Sequence, residues 1–249
     1  WTLTEVAFTD GPYLPTNTTT TTLTPSSAAT GSRNITASAI TGINGGVGWL
    51  ATDVGRIISF NSGKAKITAR TSATVAVATV TTAFTNTNAT EAFKLGAFSD
   101  TTGHPSCVSF FEQRLVFAGT TDEPQTVFFS KSGDYENMTT GANADDAMVY
   151  TIASNQVNKI RYLKAVRTLL IGTTGGEFSV TADGTNAAVT PTNVTIKRQS
   201  SFGAANVDAQ PSGNAVLFLQ TAKRKIRELA YNYDSDGYVA PDLCILNET

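Results

Sequence analysis

The chain has 249 residues, 41% of them hydrophobic and 15% charged, with a formal net charge of −2. That is enough apolar material for a sizeable core, in one large all-β domain or two smaller ones. The near-neutral balance argues against a protein built to grip nucleic acid, which carries a basic stripe, and no apolar run is long enough to span a membrane.

In chain order, WTLTEVAFTDGPY lacks an initiator Met and the basic-then-apolar plan of a signal peptide. Residues 1–15 read as a chain entered midway, a strand of the main body leading into an insertion. The abrupt end at LNET also fits a fragment. Residues 16–97 are crowded with Thr, Ser, Ala, Asn and Gly and form the inserted small β module. Its first part, 16–32, shows no alternating apolar face and reads as an extended linker. Beyond it, GINGGVGWLATDVGRIISFNSGKAKITARTSATVAVATV reads as a small barrel, with a turn at Gly45–Gly46, a corner between Asp53 and Gly55, and Gly63 closing a hairpin. GINGGVG has the look of a phosphate loop, but such loops open a helix, and WLATDVGRIISF reads as strand.

Residues 98–249 hold most of the aromatics, among them Phe110, Phe111, Phe117, Phe128, Phe129, Tyr162, Phe178 and Phe218. Large aromatics supply much of a packed β core, so this part is the body. Its short alternating strands are separated by turns at Thr120–Pro124, Ser132–Asp134, Gly175–Gly176, Asp183–Asn186 and Asp236–Gly237, a spacing that suits a sandwich, barrel or propeller. LLIGTTGGEFSVTA fits one propeller-blade hairpin, with an inner strand and an outer strand. At about 40 to 45 residues per blade, the body supplies three or four blades. The fold class is therefore all-β, with a partial β-propeller-like body and a small inserted β-barrel module.

Candidate chemistry is sparse. The single histidine, His104, stands three residues from Cys107, a sequence proximity that does not make a catalytic dyad. Cys107 and Cys244 lie in apolar settings and read as buried reduced thiols. Glu112, Asp134, Glu136, Asp145, Asp146, Asp234, Asp236 and Asp242 include pairs that glycoside hydrolysis would need, but most sit in turn sequences where Asp bonds the backbone. The basic cluster Lys223, Arg224, Lys225 and Arg227 reads as a solvated hairpin turn, or as a contact to DNA or a neighbouring subunit. Glu112, Gln113 and Arg114 fall between SCVSFF and LVFAG with no turn signal. They read as continuous strand, with Arg114 buried against carbonyls or a carboxylate.

The run GHPSCVSFFEQRLVFAGTTDEPQTVFFSKSGDYENM, 103–138, resembles a signature of the phage tail nozzle proteins, also called tail tubular protein B. It is carried by His104–Pro105, Glu112–Gln113–Arg114–Leu115, Ala118–Gly119, Pro124–Gln125 and Ser130 to Tyr135, Gly133 and Asp134 included. VNKIRYLKAVRTLLIGTTGGEFSV, TPTNVTIKRQSSFGA and NAVLFLQTAKRKIRELAYNYDSDGYVAPDL fit as well. The module, through WLATDVGRIISF, resembles the first catalytic-cysteine half-domain of ubiquitin-activating enzymes in fold alone, having no cysteine.

The resemblance implies a structural virion protein, made in the bacterial host cytoplasm. It implies a β-propeller body, six copies around an axis, docking to an adaptor ring, and a central channel through which DNA passes without tight binding. It implies no enzyme activity, cofactor, metal, small-molecule ligand or membrane. The rival reading is a carbohydrate-binding or cell-wall-degrading tail-spike-type β protein, which would show exposed aromatic faces beside turn carboxylates.

Overall fold

The computed structural model describes residues 8–153, 158–184 and 187–244. It is nearly all β, and the chain divides into two compact units: Gly11–His104, and a body that takes the chain up to Asp10 together with Pro105 onward. The boundaries thus fall at Asp10/Gly11 and His104/Pro105, where composition places them at 15/16 and 97/98. Residues 11–15 belong to the inserted unit, with Tyr13 bridged to Gly96. Only Asp10 and its neighbours join the body, where Thr9 N–H donates to the Glu136 carbonyl and Met138 N–H to that of Asp10. Residues 1–7 of the expected body strand lie outside the described residues.

The inserted unit is a curled six-stranded sheet: β1 Leu23–Pro25, β2 Gly31–Ala37, β3 Ile57–Phe60, β4 Gly63–Arg70, β5 Val75–Thr82 and β6 Lys94–Leu95. Their order is β1-β2-β5-β4-β3-β6. β6 pairs with β3, while Thr90, just before it, exchanges two backbone hydrogen bonds of 2.9 and 3.1 Å with Leu23 of β1. One segment thus touches both edges, which closes the sheet and removes its free strand edges. Ala65, Ala76 and Ala78 face inward and leave room for Trp49, fully buried among Ile35, Ile58, Ile67 and Phe93.

Two local expectations are corrected here, and the hairpin expected at Gly63 is present. Residues 16–32 are no linker: β1 lies within them, with Thr21, Leu23 and Pro25 facing inward. The alternation is hidden because two of those three side chains are not conventional hydrophobes. The strand read in WLATDVGRIISF begins only at Ile57, after a 3₁₀ turn over Ala51–Asp53. The hairpin before β4 turns on Asn61 and Ser62, both at positive φ, and Gly63 is needed because a Cβ there would meet the ring and backbone of Phe84.

The body consists of three four-stranded antiparallel meanders in series, the plan of propeller blades. The first is β7 Cys107–Phe111, β8 Arg114–Ala118, β9 Thr126–Phe129 and β10 Met148–Thr151. The second is β11 Ile160–Ala165, β12 Leu169–Thr173, β13 Gly176–Thr181 and β14 Thr195–Ser200. The third is β15 Gln210–Ser212, β16 Ala215–Leu219, β17 Ile226–Asn232 and β18 Gly237–Val239. LLIGTTGGEFSVTA forms the two middle strands of blade 2, not an inner and an outer one.

Blade 2 explains the packing. Leu163, Leu169, Ile171, Phe178 and Val180 face blade 1, meeting Cys107, Val116, Val127, Phe129 and Met148. The alternate positions Tyr162 and Leu170 face blade 3, meeting Val216, Phe218, Leu229 and Tyr238. A strand buried on both sides has no polar face to show, which is why LLIGT reads as an unbroken apolar run.

Tyr162 pairs across the sheet with Gly172, and its ring lies over that glycine where a Cβ would overlap it. Gly172→Ala should therefore destabilise the body by about 1–3 kcal/mol through overpacking. The check is a lowered thermal midpoint together with faster amide exchange in β11–β13, while exchange in β4 and β5 of the barrel stays unchanged.

Candidate functional site

Four signature residues, Glu112, Gln113, Arg114 and Ser130, gather in blade 1, where Arg114 is a buried cation. β7 and β8 are joined by Glu112 and Gln113, which have φ of 46° and 59°, the left-handed pair of a two-residue hairpin turn. This corrects the reading of continuous strand. The turn lacks the usual Asn-Gly signal, because contacts distant in sequence hold it. The Glu112 carboxylate accepts the Val189 N–H at 2.7 Å, and the Gln113 carbonyl accepts the Gly133 N–H at 2.8 Å. Strained backbone persists where its surroundings over-determine it.

Arg114, at the first position of β8, is 2% exposed. Its Nη1 donates to the carbonyls of Ser130 at 2.8 Å and Asp146 at 2.7 Å, and its Nη2 to that of Ala144 at 2.6 Å. Burial pulls the guanidinium pKa down, opposed by the nearby carboxylates of Asp145, Glu112 and Asp146. The planar fork ties β8 to the end of β9 and to the loop before β10, a geometry an ammonium cannot copy. Ser130 completes the clasp: its hydroxyl accepts the Leu115 N–H and donates to the Lys131 carbonyl. Lys131 in turn pairs with Asp146 at 3.1 Å, which raises the lysine pKa and lowers that of the acid.

The remaining signature residues are peripheral to this clasp. Gly133 adopts φ 74° in the turn, Asp134 is exposed and bridges back to Lys131, and Pro105 opens the body. His104 is exposed in the inserted unit, its Nε2 3.0 Å from Asp100 Oδ1.

Cys107 faces the blade 1 core, with its thiol directed at the Ile160 carbonyl at 3.9 Å. Burial raises its pKa, which works against a nucleophilic thiolate. Both cysteines are free, and Cys244 is half-buried where a buried thiol is expected.

The basic cluster is split by the fold. Lys223 and Arg224 are exposed in the β16–β17 turn. Lys225 Nζ is 2.7 Å from Asp242 Oδ2, and that contact lowers the Asp242 pKa. Arg227 donates to Gln220 and to the Ala240 carbonyl, and its guanidinium lies 3.4 Å from the centre of the Phe202 ring. Two of the four cations are thus engaged within the blade.

A polar row that composition alone did not single out crosses blade 2 on the face toward blade 3: Tyr162, Gly172, Glu177 and Ser200, in register. Glu177 is fully buried. The Ser200 hydroxyl and the backbone N–H groups of Phe202 and Gly203 attend its carboxyl, yet burial dominates and raises its pKa. Glu177 Oε1 and the Tyr162 hydroxyl lack a hydrogen-bond partner among the described residues, and burial, with the acid's charge behind it, raises the Tyr162 pKa well above the ordinary tyrosine value. The signal in the sequence was an acid, Glu177, inside the short strand GEFSV.

No protein-family model matches the chain, and no curated protein matches it.

Two measurements follow from these sites. Arg114→Met, which leaves the buried Ser130 and Asp146 carbonyls without their donor, should cost about 1–3 kcal/mol for each in urea unfolding, with Arg114→Lys recovering only part. Glu177 stabilises the body most below the ordinary glutamate pKa, and that contribution is lost as pH rises through its raised folded value. Glu177→Gln should therefore gain thermal midpoint relative to the parent as pH rises through that window, and differ by a constant amount below it. A difference independent of pH across the whole range would contradict the assignment.

Proposed function

We propose that this chain is a structural subunit of a phage tail nozzle, one of several copies that form a ring around the DNA-exit channel. The observation that carries the reading is the first blade. The run 103–138, which resembles the nozzle signature, supplies β7 to β9, and its Arg114 and Ser130 form the clasp that holds the blade together. Two further blades follow in series.

Five of the eight acids weighed as hydrolytic pairs have local work instead. Glu112 secures a turn, Asp145 and Asp146 face Lys131, Asp236 accepts the Tyr231 hydroxyl, and Asp242 holds Lys225. A conduit must let DNA slide, and a dense basic lining would hold phosphates through counterion release. The net charge of −2 and the engagement of Lys225 and Arg227 suit that requirement.

One observation favours the tail-spike reading. Tyr233 is 88% exposed in the β17–β18 turn, beside Asp234 and Asp236, a pairing of ring and carboxylate that can bind sugar. Glycan-array binding abolished by Tyr233→Ala would move the assignment to that class.

Antibodies against the chain should label the tail tip of the particle whose genome encodes it, and labelling confined to lateral fibres would overturn the nozzle reading. In fluorescence anisotropy with duplex DNA at physiological salt, no saturable binding is expected. Neutralising Lys223 and Arg224 should change nothing. Tight, salt-sensitive binding lost in that variant would make the turn a DNA site.

A further inference from the structure

We infer that the face of blade 2 turned toward blade 3 binds one water molecule, held between the Tyr162 hydroxyl and Glu177 Oε1 as a fixed part of the fold. Four buried side-chain atoms among the described residues have no hydrogen-bond partner. Two of them, Tyr162 Oη and Glu177 Oε1, stand in a single cross-strand row, and their residues are 1% and 0% exposed. Buried polar groups in folded proteins are met by other protein groups or by ordered water.

The row aims both groups into one space. Tyr162 pairs with Gly172, and Gly172 with Glu177. The ring atoms that lie over Gly172 are Cε1 and Cζ, the end that carries the hydroxyl. With no side chain on Gly172 to intervene, the phenol reaches along the row toward the acid. The two are near enough for the Glu177 charge to act on the phenol, yet they make no direct hydrogen bond. A bridging molecule suits that separation. The second carboxyl oxygen is already engaged, since Glu177 Oε2 accepts the Ser200 hydroxyl. Blade 3 closes the space, with the Phe218 ring 6.0 Å from that of Tyr162 between centroids and Val216 and Leu229 in the same cluster.

The chemistry of the site selects its occupant. An anion would face the Glu177 carboxyl. A cation would need that carboxyl ionised, which burial opposes, and would also meet the field of Arg227. Arg227 pairs with Phe218, on the side of blade 3 turned toward blade 2. An apolar molecule would leave both oxygens unsatisfied. Water is neutral, and small enough to be enclosed where neither oxygen is open to solvent. It both donates and accepts, so it serves the protonated carboxyl as well as the ionised one.

Two measurements on the whole chain test this. A high-resolution crystal structure should show one solvent peak within about 3.2 Å of both Tyr162 Oη and Glu177 Oε1. Glu177→Gln keeps a polar atom for the water and should retain the peak, whereas Tyr162→Phe should lose or displace it. Thermal unfolding supplies a sign. Tyr162→Phe keeps the ring and its packing, so folding is preserved, as circular dichroism will confirm. If the hydroxyl is bridged, its removal breaks a hydrogen bond and lowers the midpoint. If the hydroxyl is an orphan, its removal relieves an unpaired buried group and raises the midpoint. The inference is overturned by a parent structure with no peak at that position, or by a Tyr162→Phe midpoint that is unchanged or raised. A parent midpoint that rises with sodium or potassium against choline at equal ionic strength, with no such rise in Glu177→Gln, assigns the site to a cation and overturns it as well. None of these outcomes depends on the DNA titration or the tail-tip labelling, so this inference and the nozzle assignment can fail separately.

Discussion

The body depends on one constraint: a β-sheet with two apolar faces must be covered twice. Blade 2 meets that requirement by lying between its neighbours, with Leu169 and Ile171 turned one way and Leu170 the other. Burial of this kind is the main favourable term in folding, and polar contacts between blades, Glu112 to Val189 and Thr168 to Tyr238 among them, add to it. It also makes the middle blade intolerant of added volume, since close-packed interiors transmit even a methyl group as strain.

Polar groups then decide the detail. The Arg114 guanidinium fastens a strand to a loop thirty residues on, donating to the Ala144 carbonyl and to the buried carbonyls of Ser130 and Asp146. The barrel repeats the device: Arg56, equally buried, donates to Asp53, Asn44 and the Gly96 carbonyl, and Asp53 accepts the Leu50 N–H. Each guanidinium satisfies several backbone or side-chain acceptors at once, which is how a buried charge becomes tolerable. The row at Glu177 has the opposite character. Its carboxyl is desolvated more than its donors compensate, and so the proton is held more tightly.

The functional reading rests on what these features share. Charged side chains inside the body close turns and clasp loops. That arrangement supports the proposed structural role, in which shape is the working property.

Much of the architecture was legible in the residues themselves. Period-two alternation identified an all-β chain, the aromatic enrichment marked the body, and the cost of an unpaired guanidinium predicted carbonyl partners for Arg114, because these follow from local chemistry that every fold must respect. The β7–β8 turn was not legible: Glu112 and Gln113 carry no left-handed preference and are held there by Val189 and Gly133, which are remote in sequence. β1 was hidden for a related reason, since Thr21 and Pro25 become inward-facing only once the sheet curls. The same holds for the basic run, whose four cations look equivalent until Asp242 and Phe202 claim two of them. Sequence determines which strands can form and which side chains need cover. Only tertiary structure decides which distant groups supply it, because those partners are set by how the sheets stack and not by their spacing along the chain.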